Sequence, residues 1–262
     1  MLIQQISSAQ NPKIKELLQL KEKSRTRRET SLFVTEGTRE IHQALEAGYE
    51  ILSLFVCREI APGFQAPGNT GTLFEVTPAL YSKIAYREGT EGVIAILKAR
   101  EHGLENIVLG NNPLVIVLES VEKPGNLGAV LRTADAVGAD AVIVCDPLTD
   151  IYNPNIIRSS LGGVFTNQIA ASTSEETYKW LRENDISILT AQLQDSVLYY
   201  HAKMTSPTAI VLGAESDGLS GFWREKAHLK IMIPMVGKLD SLNVSVSAAV
   251  LCYEALRQRD NK

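Results

Sequence analysis

From position 114 onward, short apolar runs alternate with helical patterns, and this alternation constrains the fold more than any other feature of the chain. The runs at 114–118, 141–144, 186–189, 209–212 and 230–233 are four or five residues long and nearly free of polar side chains. A strand that reads as continuous rather than alternating is buried on both faces, which predicts a parallel sheet covered by helices on each side. Helical patterns at 127–137 and 174–183, with a last helix reaching about Gln258, supply those covering layers. The fold class is α/β. Ligands of such sheets bind beyond the carboxyl ends of the strands, so the polar residues that follow each run are the first place to look for chemistry.

The front of the chain has a different texture. Ile14, Leu17, Leu18 and Leu20 mark a helix, followed by the charge-dense run Lys21-Glu-Lys-Ser-Arg-Thr-Arg-Arg28. Strands are expected at 32–34, 51–56, 74–76 and 92–97, with helices at 39–47 and 78–84 and a Pro/Gly-rich loop at 61–71. These make a small α/β/α unit. A polar link at 101–112 separates it from the second region, giving expected domains at 1–108 and 113–262.

At 262 residues the chain has ample material for two cores, and a net charge of −4 excludes a generically basic nucleic-acid binder without excluding a local basic face. Cys57, Cys145 and Cys252 lie far apart in apolar runs with no metal-ligand spacing, which predicts buried thiols, no disulfide and no metal site. No run approaches the ~20 apolar residues of a membrane span, so a cytoplasmic protein is expected.

Three segments place polar residues just after expected strand ends. The first, Glu119-Ser-Val-Glu-Lys-Pro-Gly-Asn126-Leu-Gly-Ala-Val-Leu-Arg132, enters a helix. The second is Leu212-Gly213-Ala-Glu215-Ser-Asp-Gly218-Leu219, and the third is Ile233-Pro-Met235-Val-Gly-Lys-Leu-Asp-Ser241-Leu242-Asn243-Val-Ser-Val. Ser241 and Asn243 at a helix entrance fit simple capping, with Val244, Ala248, Leu251, Cys252 and Ala255 forming the buried face behind them. They can also be read as a ligand site, because a helix N-terminus offers donors and positive potential. The glycines give neither a dinucleotide fingerprint nor a Walker A loop, and no histidine lies near the three segments, which disfavours a Ser-His-Asp hydrolase.

Taken in order, the three segments resemble the N-x-G-x-x-x-R, L-G-x-E-x-x-G-L and I-P-M-x-G-x-x-x-S-L-N-V-S-V motifs of the SpoU/TrmH branch of the SPOUT RNA 2′-O-ribose methyltransferases. The front unit resembles, more loosely, the substrate-binding domain of these enzymes, itself similar to kink-turn-binding ribosomal proteins. The resemblance implies a C-terminal parallel-sheet SPOUT domain with a deep trefoil knot threaded by 233–242 and the last helix. It implies a homodimer, and S-adenosylmethionine held by main-chain groups at Leu212, Gly213, Ile233, Met235 and Leu242. It further implies catalytic roles for Asn126, Arg132, Glu215, Ser241 and Asn243. Arg132, always protonated, suits clamping a phosphate better than acting as a base.

One departure stands out: the family pattern has Asp-Pro-x-Asn, and this chain has Lys123-Pro-Gly-Asn126. The expected substrate is structured RNA, ribosomal more than transfer RNA. Lys21, Lys23, Arg25, Arg27 and Arg28 are candidate RNA contacts, although such a run is also an ordinary solvated helix face. Arg158, in the segment 153–163, stands in what is similar to a substrate-side loop of the family and reads equally as part of a turn. The alternative function is a catalytically silent RNA-binding or ribosome-assembly factor on the same fold, with Lys123 as its one supporting residue.

Overall fold

A computed structural model describes residues 2–68, 70–86 and 91–260, and the chain divides into two compact units. The first contains residues 1–101 together with 150–166; the second contains 102–149 and 167–262.

The first unit runs β1 (Leu2–Ile6), α1 (Pro12–Glu22), α2 (Ser24–Thr30), β2 (Leu32–Glu36), α3 (Thr38–Glu46), β3 (Ile51–Val56), β4 (Thr72–Val76), α4 (Pro78–Ile84) and β5 (Val93–Lys98). The sheet order is β1-β4-β3-β5-β2, with β5 antiparallel to both neighbours and the other pairs parallel. α1 begins where Asn11 accepts the Lys13 N–H at 2.9 Å and Pro12 presets the first turn. It buries Ile14, Leu17 and Leu20 completely against Phe55, Tyr81, Ile84, Ile94 and Ile96. β1 was not foreseen. Its Leu-Ile-Gln-Gln-Ile sequence is half polar because it is an edge strand, paired on one side only. The 61–71 loop lies between β3 and β4, with residue 69 outside the described residues.

The second unit opens with β6 (Leu114–Glu119), α5 (Pro124–Val137) and β7 (Ala141–Cys145). The chain then returns to the first unit as α6 (Pro154–Ser159) and α7 (Gly163–Thr166), two short helices in place of the expected loop or turn at 153–163. Asn153 caps α6 through the Asn155 N–H at 2.9 Å. Tyr152 stacks on Phe33 at 4.1 Å, Phe165 meets Tyr49 edge-on at 5.2 Å, and the Tyr49 and Tyr152 hydroxyls lie 3.1 Å apart. Asp150 completes the attachment with an ion pair to Arg27 Nε at 2.5 Å.

That pair corrects the expectation for Arg27. Its side chain is 4% exposed, and Nη1 donates to the Leu20 and Lys21 carbonyls at 2.6 and 3.2 Å. A guanidinium buried beside α1 and paired with Asp150 is closed to RNA phosphate. Lys21 is half-buried, and its ammonium caps α4 by donating to the Ile84 and Ala85 carbonyls at 2.8 and 3.0 Å. Burial lowers its pKa from the ordinary lysine value, against the raising effect of Glu36. Lys23, Arg25 and Arg28 are exposed, with Arg25 paired to Glu29 one turn on.

The remaining elements are β8 (Ile169–Ser172), α8 (Ser174–Glu183), β9 (Ser187–Ala191), β10 (Val197–Leu198), β11 (Thr208–Leu212), α9 (Gly221–Lys226), β12 (Leu229–Met232) and α10 (Val244–Asp260). All seven strands are parallel, in the order β10-β12-β9-β11-β6-β7-β8. β6 and β11 are central neighbours with Leu118 level with Leu212, so the segments that follow them emerge side by side. α8 starts at a capping box made by Thr173 and Glu176, and its bounds are those the sequence indicates.

α10 packs against α5 and buries Val244, Ala248, Leu251, Cys252 and Ala255, the five positions expected. Arg259 pins its far end by donating to the carbonyls of Asn112, Pro113, Met204 and Ser206. The three cysteines are buried and unpaired, and burial pushes the Cys145 and Cys252 thiols up to about 12. Among the described residues no group of three metal-ligating side chains forms, and no helix is long and apolar enough to cross a membrane.

Candidate active site

Three loops leave the carboxyl ends of β6, β11 and β12, and their side chains meet. Glu215 is the centre. Its Oε1 accepts from Asn126 Nδ2 and, at 2.7 Å, from Asn243 Nδ2, while Oε2 accepts from Lys123 Nζ. Asn243 Nδ2 also donates to Asn126 Oδ1 at 3.2 Å. Four side chains from three segments, with Asn126 and Asn243 117 positions apart in sequence, thus close into one network.

The direction of every bond in this network follows from the start of α10. Asn243 Oδ1 accepts from the Ser245 N–H at 2.9 Å and from Ser245 Oγ at 2.6 Å, so Asn243 is the helix cap and its oxygen is occupied. Its amide nitrogen must therefore face Asn126 and Glu215, and Asn126 in turn presents its nitrogen to the carboxylate. Only an ionised Glu215 can accept from all three partners. The Lys123 ammonium bonded to Glu215 holds its carboxyl below the ordinary glutamate range, with Asn126 adding to this effect and partial burial opposing it.

Two of the expected residues stand outside the network. Ser241 is exposed and donates to Asp240 Oδ1 at 3.3 Å; capping falls to Asn243 alone. Arg132 is exposed on α5 and makes no hydrogen bond or ion pair with any described residue. Six helical residues rotate it about 120° from Asn126 around the helix axis. Arg158 is exposed on α6, within the first unit.

Gly213 is required to be glycine by its own loop. A Cβ there would lie 2.1 Å from the Gly218 carbonyl carbon, so the missing side chain lets the Ala214–Gly218 turn fold back on itself. That turn, closed by Gly218 N–H to the Ala214 carbonyl at 3.0 Å with Gly218 at φ 67°, is what aims Glu215 at the two asparagines. Leu212 is buried at the end of β11, while Ile233 and Met235 are half-buried just beyond β12 and Leu242 is exposed. From 235 to 242 no main-chain group bonds to a described residue. Free donors and acceptors in series are what a cofactor held by backbone requires, so this stretch fits S-adenosylmethionine.

Glu119 was not singled out from sequence. It is 7% exposed at the end of β6 and accepts the Ser220 N–H at 2.8 Å, tying the loop after β11 to the neighbouring strand. An acid closing an otherwise apolar run was its only visible signal.

Two family models match the chain: the SpoU rRNA Methylase family over residues 113–253, and the MRM3-like substrate binding domain over 11–95. The 23S rRNA guanosine 2′-O-methyltransferase RlmP of Bacillus subtilis is 28% identical over 254 residues, covering 96% of this chain and 98% of its own. A crystal structure described as an RNA 2′-O ribose methyltransferase is 40% identical with a TM-score of 0.83, covering 98% of this chain and 99% of its own. The AdoMet-bound rRNA methyltransferase of Sinorhizobium meliloti superposes with a TM-score of 0.89 at 28% identity, covering 97% and 98%.

Proposed function

Because the chain belongs to the SpoU rRNA methylase family, we propose that it is an S-adenosylmethionine-dependent 2′-O-ribose methyltransferase acting on ribosomal RNA. The observation that carries this reading is the convergence of Asn126, Glu215 and Asn243 from three separate segments into one hydrogen-bonded network. A fold retained without catalysis has no need of that assembly, so it weighs against a silent assembly factor. Relatives along almost the whole length are named as methyltransferases of 23S rRNA, which favours ribosomal over transfer RNA and a cytoplasmic reaction.

S-adenosylmethionine supplies an already activated methyl group. The remaining work is alignment of a ribose hydroxyl and stabilisation of its surroundings. The loop 233–242 holds the cofactor by its backbone, together with the ends of β11, and is the segment threaded through the proposed knot. Arg132 clamps a phosphate beside the target ribose with its free guanidinium. Asn126, Glu215 and Asn243 orient ribose and cofactor, with Ser241 at the rim.

Residues 1–108, joined by the segment 150–166 that belongs to the same compact unit, recognise the RNA, and the rest of 113–262 carries the reaction. In the front unit, Lys23, Arg25, Arg28 and Arg158 remain open to solvent as phosphate contacts. Neutralising Lys23, Arg25 and Arg28 together should flatten the salt dependence of RNA binding, each lost phosphate contact taking about 0.7–0.9 from the logarithmic slope. An unchanged slope would remove this face from the interface.

A homodimer is supported by α10, where Val246 and Tyr253, seven residues apart on one face, are 47% and 52% exposed. The deciding experiment is calorimetry with S-adenosylmethionine on the purified chain, followed by mass spectrometry of unmodified ribosomal RNA incubated with both. Cofactor binding, a 2′-O-methylated nucleotide and a sedimenting mass twice the 28.7 kDa chain are expected. No cofactor binding ends the enzymatic reading.

A further inference from the structure

We propose that Lys123 is a positioning residue of the methyl-transfer site, the counter-ion that keeps Glu215 in place between Asn126 and Asn243. The inference rests on the methyltransferase reading for its functional consequence, though not for its structural one. An acidic residue at this position would face Glu215 with like charge. This chain has paired the carboxylate with an ammonium instead.

The geometry makes the pairing consequential. Glu215 accepts the amide N–H groups of both asparagines on Oε1, and Lys123 occupies the other oxygen. Without the ammonium the carboxylate is held by amides alone, at the end of a tight turn, in a site that must admit polyanionic RNA. Other charged groups on the three segments are committed or turned to solvent: Glu119 accepts from Ser220, Asp217 from Ser216 and Asp240 from Ser241, and Glu122, Arg132 and Lys238 are exposed. Lys123 is therefore the cation that both neutralises Glu215 and leaves two N–H donors open to an approaching phosphate. Its side chain is 72% exposed, so the effect on rate is modest and the effect on Glu215 titration is the sensitive readout.

The linkage has a definite sign. A carboxyl whose folded pKa is depressed contributes order that is present above its unfolded value and lost as pH falls through the folded one. In the wild type the network survives into acid; with Lys123 removed it is lost at higher pH.

The test is a carboxyl ¹³C titration of Glu215 in the full chain, labelled at glutamate, for wild type, K123M and K123R, with E215Q assigning the resonance. Glu215 should titrate below the ordinary glutamate range in wild type and K123R, and within it in K123M. Methylation of unmodified ribosomal RNA by K123M should show a roughly two- to fivefold lower kcat/KM, carried mainly by KM, with K123R restoring most of it. Identical Glu215 titration in wild type and K123M, or equal losses in K123M and K123R, overturns the role of Lys123. A wild type that shows the low titration yet methylates nothing overturns the methyltransferase reading and leaves the pairing intact.

Discussion

Replacing Arg132 with alanine should lower kcat for methylation of ribosomal RNA by about 100- to 1000-fold, the scale seen when one preorganised electrostatic contact is removed from a reacting centre. The side chain is exposed and makes no hydrogen bond or ion pair with any described residue, so it has no structural duty that its loss would disturb. Melting of R132A should match wild type within about 0.5 kcal/mol, as for surface substitutions away from special features. Binding of S-adenosylmethionine should also be unchanged, because the free backbone stretch proposed to hold it lies on the β12–α10 loop. R132K should recover part of the rate, since an ammonium keeps the charge and loses the bidentate fork. Equal methylation by R132A and wild type would leave phosphate clamping without its residue.

Replacing Asp150 with alanine should destabilise the first unit by about 3–5 kcal/mol, the usual cost of leaving one member of a buried ion pair uncompensated. The Arg27 side chain is 4% exposed, so it cannot reach water without moving α1 or α2. Asp150 also accepts the Tyr152 N–H at 2.9 Å, so the substitution loosens the aromatic cluster of Phe33, Tyr49, Tyr152 and Phe165. Chemical denaturation followed by tyrosine fluorescence should show the loss as a shifted midpoint. An R27M/D150L double variant should be less damaged than D150A, because two apolar side chains leave no buried charge behind. A shift below about 1 kcal/mol for D150A would mean that the pair is hydrated in solution. Activity should fall with stability, since α6 and its Arg158 hang on the same attachment.

The two outcomes test different layers of the protein, and the sequence exposed them unequally. Elements set by local rules were legible. α4 begins at the Pro78 that follows the Thr77 cap, α8 begins at a capping box, and β3 spans an apolar run bounded by turn residues. The five buried positions of α10 followed from helical periodicity. β1 escaped because an edge strand lies partly in solvent and keeps exposed polar side chains such as Gln4 and Gln5, which erases the apolar run that identifies a central one. The helices α6 and α7 escaped because four to six residues are too few to establish a period.

The site divides along the same line. Asn126, Arg132, Glu215, Ser241 and Asn243 were legible as residues through their motifs, each just beyond an expected strand. Which of them touch was not, because contact depends on strand order. β6 and β11 are neighbours although they are separated by most of the domain in sequence. Arg27 reads as one more cation in a basic run, and only a carboxylate 123 positions away makes it a core residue.

By itself, then, the sequence determined the parallel α/β architecture, the helix caps and the side chains available for chemistry, because periodicity, capping and strand burial act over a few residues and leave a local record. The tertiary structure decided that Lys123, Asn126, Glu215 and Asn243 form one network, that Arg27 is buried, and that Gly213 serves its own turn. Those outcomes come from close approach between segments remote in the chain, where distance, burial and charge compensation exist only after folding.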